Sequence, residues 1–356
     1  MLCAHFVWAQ DTTLSILFLG DIMGHDGQIK AAFNEKDSTY DYTINYASVK
    51  EICELSDITI ANLEVTLAGK PYKGYPAFSS PDEVVFASID AGIDCFITAN
   101  NHSCDRGKHG ILRTLNVLDS LEIVHTGTFR NLDERHTKYP LKIEQNGISI
   151  ALLNYTYGTN GIAVPSPTIV NLIDKDSIKA DLNKAKAMNV DKIIVCLHWG
   201  IEYQRQPNQS QIDLYDFCKE NGADIIIGGH PHVIQKMEWE EDKLVAYSLG
   251  NFISNQRKQY TDGGAMLRIE LEKINGIVQI KDAGYYLTWV YKPWVENKQV
   301  FKVLAVSKYE NMPDFFESEE PKIKMDIFKT DARNLLNSEN KNIKEYKYNP
   351  ETQCWE

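Results

Sequence analysis

The chain has no C-x-x-C pair, no long apolar run and no excess of basic charge, and each absence removes a class of protein. Its seven cysteines, Cys3, Cys53, Cys95, Cys104, Cys196, Cys218 and Cys354, are scattered, which excludes a dense disulfide framework and a structural zinc knot. Those lying in apolar runs read as small buried hydrophobes. No stretch approaches the roughly 18 to 20 uninterrupted apolar residues that cross a bilayer as a helix. The 49 acidic residues outnumber the 37 basic ones and leave a net charge of -12. That is the wrong sign for gripping a polyphosphate backbone, so nucleic acid is not expected as a partner. What is present is an ordinary globular balance, 43% hydrophobic and 24% charged over 356 residues. It supports a sizeable core, and the length allows two or three domains or one large α/β domain with additions.

The opening residues, MLCAHFVWAQ, lack the basic start of a signal peptide, yet Val7 and Ala9 fit its small-residue cleavage pattern just ahead of a polar segment. Residues 1–11 therefore read as a signal-peptide remnant, and the expectation is export to the periplasm or cell envelope. Without such a leader the sequence reads as cytoplasmic.

Short β-rich apolar runs recur at 14–20, 56–62, 91–100, 190–200 and 223–230, with helical patterns at 82–91, 107–121, 174–189 and 208–221. The runs read as strands buried within a sheet, and their alternation with helices argues an α/β sandwich. Asn146-Gly147 and Asn275-Gly276, each flanked by alternating apolar residues, add two antiparallel hairpins. From about 311 onward the chain turns charged and rich in Asn and Lys, with a helix expected at 321–337 and no clear apolar stripe; 311–356 reads as a helical extension and loose tail.

Polar residues concentrate at the carboxyl ends of the expected strands, where open α/β sheets place their ligand crevice. Asp21 ends the first and His25 follows it. Glu64 follows the second, and Asn101, His102 and Asp105 follow the third. His198 ends the run at 190–200, and His230 and His232 straddle a Gly/Pro turn. Singly, each has a plainer reading: Asp21 as a helix cap, His198 as a hydrogen-bonded core histidine. Together, carboxylates and imidazoles from separate strands suit a pair of divalent transition ions about 3.5 to 4 Å apart, because a carboxylate can bridge while imidazoles complete each shell. Mixed N/O ligation favours Mn, Fe or Zn over Ca.

The strings FLGDIMGH at 18–25, ANLEVTL at 61–67, TANNHSCDRGKHGILRTLNVLD at 98–119, HWGIEY at 198–203, GADIIIGGHPHVIQ at 222–235 and YSLGNFIS at 247–254 resemble the CapA/PgsA family of poly-γ-glutamate capsule synthesis proteins, within the calcineurin-like metallophosphoesterases. The resemblance implies a four-layer α/β/β/α sandwich over 12–310 with a C-terminal helical appendage. It further implies a dinuclear centre, with Asp21, His232 and His25 on one metal, Asn101, His198 and His230 on the other, and Glu64 bridging where the superfamily usually has Asp. His102 would be the general acid. Ser103 stands where the superfamily motif ends in an acid, which leaves Asp105 to orient His102. The implied activity is metal-dependent phosphoester hydrolysis in capsule or poly-γ-glutamate biosynthesis. Its alternative is a non-hydrolytic or amide-processing component of envelope polymer assembly. The implied partners are an anionic small molecule or polymer and, peripherally, an envelope polymer-synthesis complex.

Overall fold

The computed structural model describes residues 12–295 and 297–356; the expected signal remnant, with Val7, Ala9 and Cys3, lies outside the described residues. Two large sheets face one another. The first runs, in order, Lys302–Ala305, Ile277–Tyr291, Gly263–Ile274, Thr12–Ile22, Ile58–Leu63, Cys95–Ile97 and Val124–Thr126. Asn251–Ile253 pairs with the end of Thr12–Ile22, and Lys344–Glu345 with Ile277–Tyr291. The second runs Met237–Glu240, Lys243–Ala246, Ile225–Gly229, Lys192–His198, Ile148–Thr156 and Leu141–Gln145. The first sheet is parallel over its half from Thr12–Ile22 to Val124–Thr126 and the second is parallel at its centre, so several strand ends from both sheets point to one rim.

The layers follow from the two-residue period of a strand. Leu14, Ile16 and Phe18 point between the sheets and meet Ile150, Leu152, Ile194 and Ile227. Their neighbours Leu17 and Leu19 point outward and pack with Ile52, Val84, Val85 and Leu118, residues of or beside the helices Lys50–Glu54, Glu83–Asp90 and Gly107–Ser120. On the far side, Ala151, Leu153 and Val195 meet Ile178, Leu182, Leu214 and Cys218 of the helices Lys175–Ala187 and Gln209–Glu220. The architecture is thus helix, sheet, sheet, helix. The two expected hairpins are present, with Asn146, Gly147, Asn275 and Gly276 all at positive φ, as their tight turns require. The described cysteines are free and all but Cys354 are buried. No helix among the described residues is long and apolar enough to cross a membrane.

The C-terminal segment corrects the expectation of a loose tail. Its helix, Glu319–Glu339, buries Met325, Phe328, Ala332, Leu335 and Leu336, and four of these join the core between the sheets together with Ile343. Their spacing is a helical stripe. The charged residues that dominate the composition occupy the remaining faces, and Arg333 forks onto Glu310 and Glu345 to tie the helix down.

Candidate metal centre

The rim is shaped first by backbone. Between Leu19 and Asp21 the pairing with Ile58–Leu63 slips by one residue, a bulge of the kind that re-aims a side chain. Gly20 makes it feasible, since a Cβ there would collide with the Gly250 carbonyl oxygen. Asp21 then lies level with Asn62 on one side and Asn251 on the other, while His198 lies level with Gly229 in the second sheet.

Asp21, Glu64 and His198 each offer a ligand atom, and these atoms lie within 4.8 Å of one another. All three side chains are buried. Glu64 Oε1 is 3.6 Å from His198 Nε2. Asn101 Oδ1 is 2.9 Å from the same nitrogen. His232 Nδ1 is 3.5 Å from Asp21 Oδ2 and 3.1 Å from Asn251 Oδ1. The His230 ring stands 4.9 Å from that of His198. At the centre is Asn62, whose Nδ2 donates to Asp21 Oδ1 at 2.7 Å and lies 3.5 Å from Glu64 Oε2 and 3.4 Å from His198 Nδ1.

Electrostatics set the two acids apart. Burial opposes ionisation of Asp21, but the His232 and His198 imidazoles and the Asn62 amide outweigh it and hold the carboxyl at about 2. Glu64 is driven well above the usual carboxylate range, by burial first and by the charge of Asp21 second. Burial also lowers His198 and His230, the latter to about 3, which keeps both imidazoles neutral and able to ligate.

The residues fit a divalent cation on three observations. Glu64 Oε1 and His230 Nδ1 are buried without a hydrogen-bond partner, although buried polar atoms are normally satisfied. A Cβ at Gly229 would come 2.9 Å from Asp21 Oδ1, so glycine leaves that carboxylate room. His230 is held at φ 97°, a conformation disfavoured for a side chain and characteristic of functional sites.

Beside this group, His102 Nδ1 is 2.9 Å from Asp105 Oδ2, which also accepts the Phe78 backbone N–H at 2.6 Å. Ser103 Oγ donates to the Thr98 and Asn100 carbonyls and builds the turn. His25 lies outside the three-residue group. It is the N-cap of the helix Asp26–Ala32, so the cap is His25 and not Asp21. Its Nδ1 is 3.2 Å from Gln28 Oε1, and burial lowers its pKa to about 4. The longer D-x-x-x-H spacing has carried it past the strand end to the helix start.

Three contributors had no role in the sequence reading. Asn62 is an amide at a strand end, with no spacing signal of its own. Phe78 lies edge-on to both His102 and His25, with ring centroids 4.6 and 5.4 Å away. Tyr157 leans on His230 at 4.5 Å while staying exposed. Nearby, Arg106 is exposed, and Trp199 is buried with its Nε1 donating to the Tyr247 carbonyl.

The family model described as bacterial capsule synthesis protein PGA_cap matches residues 15–256. The chain belongs to this family. The matched span holds every ligand candidate together with His102 and Asp105. Among its relatives, the capsule biosynthesis protein CapA of Bacillus anthracis is 28% identical over 274 residues, 74% of this chain and 65% of that protein. The PGA biosynthesis protein CapA of Bacillus subtilis (strain 168) is 30% identical over 269 residues, 74% of this chain and 69% of that protein. The alignments thus span about two thirds of these relatives' length. The solved structure of Haemophilus influenzae NAD nucleotidase (NadN) aligns with 96% of this chain and 66% of its own at TM-score 0.51 and 14% identity, a likeness of fold. The crystal structure of the calcineurin-like phosphoesterase YfkN from Bacillus subtilis covers 92% of this chain and 99% of its own, at 14% identity and TM-score 0.46.

Proposed function

We propose that this PGA_cap protein is a metal-dependent hydrolase acting on phosphoesters of an anionic small molecule or polymer, in capsule or poly-γ-glutamate biosynthesis. The observation that carries this reading is the buried Asp21, Glu64 and His198 group with its two unsatisfied atoms, Glu64 Oε1 and His230 Nδ1. In this reading Asp21, His232 and His25 would hold one divalent ion and Asn101, His198 and His230 a second, with Glu64 available to both; the nitrogen and oxygen donors would suit Mn, Fe or Zn. A divalent pair supplies Lewis acidity, acidifying water and neutralising charge on a phosphoryl group.

The chain's own side chains do the rest. His232 and His198, with Asn62 after them, keep Asp21 ionised, and the Asn62 amide fixes its orientation. Asn251 holds His232 by Nδ1, leaving Nε2 as its free donor atom. Asp105 holds His102 by Nδ1, which leaves Nε2 to carry a proton to a leaving oxygen. Tyr157 covers the imidazole side and limits water there. The relatives' names place them in biosynthesis, and this favours a second reading: a non-hydrolytic or amide-processing component that binds an anionic polymer beside an envelope polymer-synthesis complex, after export.

Glu64→Ala and His230→Ala are expected to lose both bound metal, measured by elemental analysis, and turnover of an aryl phosphate. Wild-type metal and turnover in both variants would remove the hydrolase reading. Metal and polymer binding without turnover of phosphoesters in the wild type would select the second.

A further inference from the structure

Beyond the family-matched span lies a cavity of about 270 Å³, where the segment after Ile253, the end of the strand Ile277–Tyr291 and the start of the helix Glu319–Glu339 meet. Arg257, Lys292 and Lys324 line it, with Asp262, Glu317 and Glu320, against an aromatic wall that includes Trp289. Its net charge is close to zero, yet the two signs are used differently.

The acids are engaged. Asp262 Oδ2 accepts the Trp289 indole N–H at 2.8 Å, Glu317 Oε2 accepts the Trp294 backbone N–H at 3.0 Å, and Glu320 Oε1 pairs with Lys324 Nζ at 2.6 Å. Arg257 and Lys292 have no ion pair with a carboxylate among the described residues. Arg257 donates through Nη1 to the Val290 carbonyl at 3.2 Å, which leaves its Nε and Nη2 edge for a fork contact. Lys292 donates to Asn255 Oδ1 at 2.7 Å. Burial first, then the neighbouring Arg257 and Lys324 charges, lower the Lys292 pKa to about 8. Burial lowers Arg257 as well, to about 10, with the nearby Asp262 carboxylate opposing the shift, and two cations held together in a recess at a cost to both are what an incoming oxyanion would relieve.

We infer that Arg257 and Lys292 form an oxyanion subsite, separate from the metal group, that takes one carboxylate or phosphate of a substrate bearing more than one anionic group. The guanidinium edge offers two parallel N–H bonds and the ammonium a point charge. Asn255 joins the subsite to the rim: its side chain holds Lys292, and its backbone N–H lies 3.4 Å from His25 Nδ1. A ligand anchored here by one anionic group extends toward the rim with the next.

The subsite does not depend on the metal reading and is tested without metal. Chelated, dialysed full-length protein is titrated calorimetrically with inorganic phosphate and, separately, with glutarate. The expected result is saturable binding of at least one probe, weakened tenfold or more in Arg257→Gln/Lys292→Gln, kept in Arg257→Lys/Lys292→Arg, and unchanged in Glu64→Gln. The two probes distinguish a phosphate from a carboxylate source. As a second measurement, the bound probe should slow acetylation of Lys292, read by peptide mass spectrometry, in the wild-type protein. No binding by either probe at 10 mM-scale concentration, or equal affinity in the Gln double variant, or no protection of Lys292, would overturn the subsite. Loss of binding in Glu64→Gln but not in the double variant would overturn it equally, by moving the anion to the metal rim.

Discussion

Phe18, Leu152 and Ile194, midway along the strands, are as deeply buried as Asp21, Glu64 and His198 at the strand ends, yet burial does opposite work in the two places. Between the sheets it removes apolar surface from water and stabilises the fold by about 1.5–3 kcal/mol per large side chain. At the rim the same exclusion of water penalises charge, raises Glu64 and depresses His198 and His230, and leaves polar atoms without partners. The difference teaches that the rim is not a by-product of folding. Its residues sit where they weaken the metal-free fold, supported by the apolar middle of the very strands that carry them.

The sharpest test of that division is in the middle. Leu152→Ala is expected to cost about 2–5 kcal/mol, from lost transfer energy and the cavity left behind, while metal bound per folded molecule stays unchanged. Denaturant unfolding of chelated protein together with elemental analysis measures both. A large loss of metal with little loss of stability would mean the two regions are not separable.

Glu64→Gln should act in the reverse sense. Replacing this buried carboxyl, whose ionisation burial and the Asp21 charge oppose, with a neutral amide is expected to raise the stability of the chelated protein by about 1–3 kcal/mol at pH 7 and to abolish the stabilisation that added metal gives the wild type. The pH dependence carries the sign. An acid whose folded pKa is raised contributes stability below its unfolded value of about 4.5 and loses that contribution as pH rises through the folded value. Depressed histidines do the opposite: His230, about 3 when folded against 6.5 unfolded, contributes fully above 6.5 and loses it as pH falls. In the chelated wild type these slopes oppose one another, whereas Glu64→Gln leaves the histidine slope alone. Its stability should therefore rise more steeply between pH 4.5 and 7. Parallel profiles would show that Glu64 ionises freely at the rim.

The same contrast explains what the sequence could reveal. The strand Lys192–His198 was legible because all of it is buried and Ile193 to Leu197 form a continuous apolar run, and Ile148–Thr156 was legible from the Asn146-Gly147 turn that precedes it. Helices such as Gly107–Ser120 and Gln209–Glu220 were legible from their helical patterns at 107–121 and 208–221. The third strand was overestimated: only Cys95–Ile97 pairs as a strand, because Thr98 and Asn100 turn to side-chain hydrogen bonds with Thr126, Asn62 and Leu63. The group Asp21, Glu64 and His198 was legible as a candidate because Asp, Glu and His at strand ends are few and chemically specific. Asn62 was not, since an amide acquires meaning only from the three groups it meets in space. Nor was the C-terminal helix stripe, where five buried side chains are diluted by the charges on its other faces.

The smallest effect probes the backbone of the rim. His230 is held at φ 97°, a strain of about 1–3 kcal/mol for a residue with a Cβ. Both His230→Ala and His230→Gly delete the imidazole, so both should lose metal equally. They differ in that alanine keeps the strain while glycine removes it, at an entropic cost of about 0.5–1 kcal/mol in the unfolded chain. Glycine should therefore be the more stable of the two by about 1 kcal/mol, reversing the order found in ordinary helix and strand positions. Chelated unfolding midpoints compare them directly. An alanine variant as stable as the glycine one would mean that the turn relaxes once the ring is gone, and that the imidazole itself, reaching toward its neighbours, holds the backbone in that conformation.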